Sequence, residues 1–247
     1  MSVPDLPEGA LLDAARDAAP VGIATLAPPG GLLIVVPHPD DETLGCGMAI
    51  AAAADAGRRI AILLLTDGEA SHPGSRRFPE DRRRALRRNE FDRALTMLAP
   101  GCRVRIWAAH CPDGASGPFA ADERLFLAAL GAARSHGTRA VWSTWEGDPH
   151  CDHEAAAKLA ARLARELGAA HWSFSVWGRF GERPVPHHLR LFAKRRFASA
   201  KRAAMAAHAS QMTDLIGDDP HGFVMPPALA AHFQTHPEIF IHERPGK

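Results

Sequence analysis

Two short clusters hold the residues with most capacity for chemistry: Pro37-His38-Pro39-Asp40-Asp41-Glu42, and Gly147-Asp148-Pro149-His150-Cys151-Asp152-His153-Glu154. In the first, an imidazole and a carboxylate three residues apart, His38 and Asp41, can converge on one point above a strand end. They make half of a metal site. Asp40 cannot easily share the coordination direction of its neighbour, so it is free to sit beside the metal as a base. In the second cluster His150 and His153 are again three apart, and a helix beginning near Asp152 places His153 in its first turn, within reach of a metal also held by His38 and Asp41. Two imidazoles and one carboxylate leave positions open for water and substrate, which is the catalytic rather than the structural pattern for zinc. Asp152 is then either the partner that orients and charges the His150 imidazole or a helix N-cap. Taken singly each cluster has a plain alternative: an acidic helix start favoured by the helix dipole, and a His-x-x-His pair arising by chance among 14 histidines.

What positions these residues is a βα repeat. Leu32 to Val36 is the continuous aliphatic run of a strand buried on both faces, and an Ala-rich helix follows over Thr43 to Gly57. Ile60 to Leu65 is a second such strand, and an Arg-rich helix ends near Leu98. A strand over Val104 to Trp107, a helix over about Ala121 to Ser135, a strand over Ala140 to Ser143 and a helix over about Asp152 to Leu167 complete the repeat. Beyond Gly168 the pattern changes. His171 to Trp177 and His188 to Phe192 read as an edge hairpin, Arg195 to Met212 as one basic amphipathic helix, Asp214 to Pro227 as a loop and Glu238 to Ile241 as a last strand. In an open parallel sheet the binding crevice lies at the carboxyl ends of the strands, which is where both clusters fall.

Composition excludes several classes. Lys+Arg (29) nearly balances Asp+Glu (28), and a net charge of +1 gives no field for general nucleic-acid binding. The chain has no Tyr, which removes every mechanism that needs a phenol. Cys46, Cys102, Cys111 and Cys151 form no C-x-x-C pair and read as free thiols of a reducing compartment. The acidic start, with Asp5, Glu8, Asp13 and Asp17, is unlike a signal peptide, and no apolar run is long enough to span a bilayer. A soluble cytoplasmic protein with no integral membrane segment and no nucleic-acid partner is expected. The arginines at 76, 77, 82, 83, 84, 87 and 88 either hold an anionic group or, for most of them, form a solvated helix face.

The Pro-His-Pro-Asp-Asp-Glu turn after a first strand, Thr66-x-Gly68-Glu69 after the second and His150-x-Asp152-His153 later resemble the LmbE/PIG-L family of zinc-dependent N-acetylglucosaminyl deacetylases. Arg87-x-x-Glu90, Asp113, Lys201 and His208-x-Ser210-Gln211 extend the resemblance over roughly residues 31–215. It implies that His38, Asp41 and His153 bind zinc, that Asp40 is the general base, that His150 stabilises or protonates the transition state, and that Arg87 and Asp113 contact the sugar. Pattern and resemblance together give a Rossmann-like three-layer α/β fold with a mainly parallel sheet and an irregular C-terminal addition, in one domain over 1–247. The substrate implied is a small N-acyl amino sugar conjugate. Relatives include hexamers, so a homo-oligomer is an expectation that comes with the resemblance. One departure stands out: some sugar-thiol deacetylases of the family place a Tyr two residues before the equivalent of His150, where this chain has Asp148. Two other readings share the ligand set: a 2-His-1-carboxylate non-haem iron oxygenase, and a carbohydrate-binding protein without catalysis.

Asp40→Ala is expected to keep its metal and lose activity, whereas His38→Ala and His153→Ala lose metal as well. Metal quantification on the three purified variants checks this; a full complement in His38→Ala would overturn the ligand assignment.

Overall fold

The computed structural model describes residues 8–243. The chain opens with helix α1 (Ala10–Ala15), strand β1 (Ala19–Pro20) and helix α2 (Ile23–Leu26), then enters the repeat: β2 (Gly31–Val36), α3 (Asp41–Asp55), β3 (Arg59–Thr66), α4 (Glu80–Leu98) and β4 (Arg105–Cys111). After α5 (Gly117–Ala120) and α6 (Glu123–His136) come β5 (Thr138–Thr144), α7 (Cys151–Leu167) and β6 (Ala170–Phe174). The remainder carries β7 (Leu189–Phe192), α8 (Ala198–Ala207), α9 (Ala209–Met212), α10 (Pro227–Thr235) and β8 (Glu238–Glu243).

These strands form one eight-stranded sheet in the order β1-β7-β8-β6-β5-β2-β3-β4, in which only β8 runs against its neighbours β6 and β7. Helices cover both faces, because alternate residues of each central strand feed different cores. Leu32, Ile34 and Val36 pack with Leu44, Ile50, Phe91 and Leu95 from α3 and α4, whereas Leu33 and Val35 pack with Phe126, Leu130, Leu159 and Leu163 from α6 and α7. That two-sided burial is why β2 reads as an unbroken aliphatic run. The chain leaves β2 toward β3 and β4, then returns to place β5 on the other side of β2. The crevice at this reversal lies between the ends of β2 and β5, where the two clusters emerge.

The C-terminal part differs from the sequence reading. Residues 171–177 and 188–192 do not pair as an edge hairpin; β8 lies between β6 and β7 and bonds to both. Its Ile239, Phe240 and Ile241 are all buried, which an edge strand would not allow. Nor is 195–212 a single helix: the backbone breaks at His208, whose ring is drawn inward toward Thr43 and Glu42. Helix α10 falls outside the predicted elements, since Pro226-Pro227 reads as loop, although Pro suits the first turn of a helix.

Helix α3 carries the feature that matters most for the site. Its backbone leaves helical geometry at Cys46 (φ −144°, ψ 24°), one turn after Asp41. A buried ion pair from the other end of the chain repairs the break. The Glu238 carboxylate accepts from the Met48 and Ala49 amides (2.6 and 2.9 Å), and the Lys201 ammonium donates to Leu44 O and to Glu238 (2.8 Å each). Burial pushes the Glu238 carboxyl up and the Lys201 ammonium down, so each depends on the other to stay charged. Just ahead of the break, a Cβ on Gly45 would lie 2.2 Å from the Phe174 ring, so only glycine lets α3 approach β6 this closely.

Removing one partner of such a pair leaves an uncompensated buried charge, which costs about 3–5 kcal/mol. Glu238→Ala is expected to lose stability on that scale in urea denaturation; a loss under about 1 kcal/mol would mean that the pair does not close the helix.

Candidate active site

The Pro37–Asp41 turn has to send two adjacent carboxylates in different directions. It does so through Asp40, whose φ of 145° is a conformation that non-glycine residues rarely adopt and that costs about 1–3 kcal/mol. The strain is held from several sides. The Asp40 amide donates to Glu42 Oε2 (3.1 Å), and its carbonyl accepts from the Leu44 amide (2.9 Å). Thr66 donates to Pro37 O through both its amide and its hydroxyl (2.9 Å each), and buried Arg87 reaches Gly68 O, Pro39 O and Asp40 Oδ2 at 2.8, 2.8 and 3.1 Å. Gly68 is required here: its φ is 71°, and a Cβ would meet the Arg87 guanidinium at 2.1 Å. Burial pushes the Asp40 carboxyl up to about 6, with Arg87 restraining the rise.

Asp41, pointing the other way, faces two imidazoles. His38 Nδ1 lies 3.2 Å from Asp41 Oδ2 and His153 Nε2 lies 3.4 Å from Asp41 Oδ1. The opposite nitrogen of each ring already has an acid partner. His38 Nε2 is 3.1 Å from both Asp113 Oδ1 and Asp152 Oδ2, and His153 Nδ1 is 2.9 Å from Asp148 Oδ2. A carboxylate on the far nitrogen fixes the tautomer and turns the near lone pair inward, as metal-ligating histidines require. His153 Nε2 is buried and makes no hydrogen bond. Two lone pairs aimed at a carboxylate call for positive charge between them. Burial lowers the His38 pKa, but the hydrogen bonds to Asp113, Asp152 and Asp41 outweigh it and raise it well above its ordinary value; burial pushes the Asp41 carboxyl up, but His153 and His38 outweigh it and hold Asp41 near 2. The same arrangement suits a divalent cation, and the donor set of two nitrogens and a carboxylate is a zinc set.

His150 completes the group. The ring centroids of His38, His150 and His153 lie 4.8–5.6 Å apart, and the three offer ligand atoms within 4.8 Å of one another. His150 is itself the N-cap of α7, accepting the Asp152 amide on Nδ1 at 3.2 Å, so Asp152 is not the cap. The Asp152 carboxylate turns toward His38, the Gly114 amide (2.7 Å) and the Ser116 amide and hydroxyl (2.9 and 2.7 Å), and stands 3.9 Å from His150 Nδ1. Burial alone would raise its pKa, but the His38 and Ser116 hydrogen bonds hold it well below the carboxylate range. Burial, aided by His38 and His153, lowers the pKa of His150. Asp113 accepts from the Ala70 amide (2.8 Å) as well as facing His38.

Above these groups opens a cavity of 790 Å³, into which His38, Asp40, Asp41, Arg87, Asp113 and His150 face. The loop after β3 and the turn after β6 wall it, through Ser71 and Pro73 and through Trp177. Among the sequence-derived residues, His38, Asp40, Asp41, Arg87, Asp113, His150, Asp152 and His153 all meet at this one point; His153 and Asp152 lie beneath the floor rather than on the cavity surface.

Asp148 and His208 are site residues that the sequence reading leaves without a role. Asp148 does not take the place of a Tyr in the cavity. It is turned inward, where besides His153 it accepts from Ser175 Oγ and from the Val176, Trp177 and Gly178 amides at 2.7–3.3 Å. Its position five residues before His153, just ahead of a helix start, is the local signal that the sequence carries. His208, 3.3 Å from Thr43 Oγ1 and 3.6 Å from Glu42 Oε1, supports the acidic turn from behind, while Glu90 fixes the His208 segment by accepting from the Ser210 amide and hydroxyl.

The sequence model of the PIG-L family, described as GlcNAc-PI de-N-acetylase, matches residues 33–164, a span that begins in β2 and ends inside α7. The chain belongs to the PIG-L family. No curated protein matches it. Among solved structures it is similar to N,N'-diacetylchitobiose deacetylase from Pyrococcus horikoshii (18% identity, 93% of this chain and 88% of that one, TM-score 0.65). It is also similar to the conserved protein TT1542 from Thermus thermophilus (26% identity, 87% and 96%, TM-score 0.62). A third is GalB, the 4-carboxy-2-hydroxymuconate hydratase from Pseudomonas putida (20% identity, 74% and 80%, TM-score 0.57). The PIG-L fold is thus shared by proteins of different reaction types. Within this member, the candidate site is carried chiefly by the residues that follow β2 and β5.

A carboxylate behind a ligand histidine is worth about 10–100-fold in metal affinity. Asp148→Asn is expected to weaken zinc binding by that factor in competition with a chromophoric chelator; unchanged affinity would leave Asp148 as a clamp on the 175–178 turn alone.

Proposed function

We propose that this chain is a zinc-dependent hydrolase that removes an N-acyl group, N-acetyl in the first instance, from a GlcNAc-type amino sugar conjugate. The observation that carries the reading is the pair of imidazole nitrogens turned onto Asp41, one of them buried without a hydrogen bond, with a second carboxylate, Asp40, held beside them at the floor of a cavity. His38, Asp41 and His153 would hold the metal. When bound, zinc supplies a Lewis acid that polarises a carbonyl and brings the pKa of water to about 7.

The protein groups then divide the proton work. Asp40, with its pKa raised to about 6, is ionised at neutral pH and close enough to it both to accept a proton from water and to return one to the departing amine. His150 is oriented by the Asp152 amide, which occupies its Nδ1 lone pair and leaves the proton on Nε2. In that neutral form it donates a hydrogen bond to the oxyanion of the tetrahedral intermediate, a contact worth roughly 3–4 kcal/mol. With no Tyr in the chain and Asp148 turned inward, no other side chain at the equivalent position shares that work. Asp152 acts by holding His38 and the 114–116 loop in place, and Asp113 and Arg87, both on the cavity surface, are the sugar contacts of this reading.

A cytoplasmic setting belongs to the proposal, since the four cysteines are all unpaired. Among the described residues no helix is long and apolar enough to cross a membrane.

The zinc-loaded protein is expected to release acetate and a free amine from N-acetylglucosamine or its conjugates, to stop on removal of metal by a chelator and to recover when zinc is returned. Acetate assay with amine derivatisation measures this. Hydration of an unsaturated dicarboxylic acid, or dioxygen consumption with an oxoacid, in place of acetate release would sink the reading.

A further inference from the structure

The cavity continues well past the reacting groups, and its outer part has a different chemistry from its floor. Its lining there is Trp177, Pro149, Pro73 and the segment that carries Phe223, Val224 and Pro226, with His221 and Gln211 as the polar side chains among them. This wall is built. The Phe223 amide donates to Ser71 O (2.8 Å) and the Met225 amide to Gln211 O (2.7 Å), which ties the segment to both the β3 loop and α9. The Trp177 ring lies edge-on to Phe223 and Phe233, with centroids 5.7 and 6.1 Å away. Val224 remains 40% exposed, an apolar side chain on the rim.

The same cavity is poor in free positive charge. Of the arginines that could serve an anionic group, only Arg87 reaches it among the described residues, and its two terminal nitrogens are taken by Gly68 O, Pro39 O and Asp40. Arg83 is spent on the Glu69 and Phe78 carbonyls, and Arg84 on Asp67, Glu69 and Glu80. Three carboxylates, Asp40, Asp41 and Asp113, share the floor. Beyond the sugar a phosphate would meet mainly apolar surface, with His221 and Gln211 as the polar side chains of that lining and no Lys or free Arg among them, so its lost hydration would be poorly replaced.

Resting on the deacylase reading above, we propose that the part of the substrate beyond the sugar ring and the scissile amide is an uncharged apolar group, seated against the wall that Trp177 and the Phe223–Pro226 segment form together. An alkyl or aryl aglycone and a long N-acyl chain share that chemistry. Each buried methylene is worth roughly fourfold in affinity, so a medium-length chain gives a large effect.

Calorimetry on zinc-loaded Asp40→Ala, which arrests turnover, compares N-acetylglucosamine, its octyl β-glycoside, N-octanoylglucosamine and N-acetylglucosamine 1-phosphate below any micelle concentration. At least one octyl compound should bind tenfold or more tighter than N-acetylglucosamine, with the phosphate no tighter; which one does so identifies the aglycone or the acyl chain as the source. Val224→Asp in the same background should erase most of that gain. Two octyl compounds within threefold of N-acetylglucosamine, a phosphate that binds tighter than both, or an octyl gain untouched by Val224→Asp would each overturn the proposal. Acetate release from N-acetylglucosamine by the unaltered protein is scored separately: release without an octyl preference defeats this proposal alone, and octyl binding without any release defeats the deacylase reading alone.

Discussion

Two neighbouring carboxylates cannot do different jobs unless the backbone between them turns sharply, and the site rests on that constraint. Asp41 must face His38 and His153 while Asp40 faces Arg87 and the cavity, so Asp40 takes a φ of 145°. The surrounding residues make sense as the means of holding it. Glu42 takes its amide, Thr66 takes the carbonyl of Pro37, Arg87 bridges Gly68 and Pro39, and His208 sits behind Glu42 and Thr43. Strain kept at a functional turn is sustained only when several contacts over-determine it, and here they come from β3, α4 and the α8–α9 junction.

Much of this was legible in the sequence because local rules happened to agree with the fold. The aliphatic runs 32–36 and 60–65 announce strands buried on both faces, and each strand's exit carries its own polar cluster. The convergence of His38, Asp41, His150 and His153 followed from their placement at two strand ends that the topology then made neighbours. What stayed hidden depended on non-local contacts. Asp148 looks like a loop acid until the 175–178 amides arrive around it. The break at His208 has no glycine or proline to mark it, and the position of β8 between β6 and β7 reflects burial of Ile239 and Ile241, which a short run cannot distinguish from an edge strand. Asp152 illustrates a finer limit: its position at a helix start suggested a cap, but its carboxylate is held by Gly114 and Ser116, 36 or more residues away in sequence.

A fold that also serves a hydratase cannot by itself specify acyl transfer. In this chain the distinguishing information lies in small differences of partner. Each candidate ligand imidazole has a carboxylate behind it, Asp40 has an arginine beside it that restrains but does not cancel the effect of burial, and His150 has its Nδ1 occupied by a backbone amide. Those details set which nitrogen carries a proton and which does not. They also separate the floor of the cavity, dense in charge, from the apolar wall of the Phe223 segment.

The ion pair between Lys201 and Glu238 has a consequence for the order in which the protein is made. The turn that presents Asp40 and Asp41 leads into a helix that leaves the ribosome well before strand β8, yet the break in that helix is closed by a carboxylate on that strand. The nascent chain therefore carries the βα units that the family pattern covers, 33–164, before it can complete the geometry of their first turn. Closure of the site's floor thus depends on a contact between residues far apart in sequence, the kind of long-range closure that slows folding.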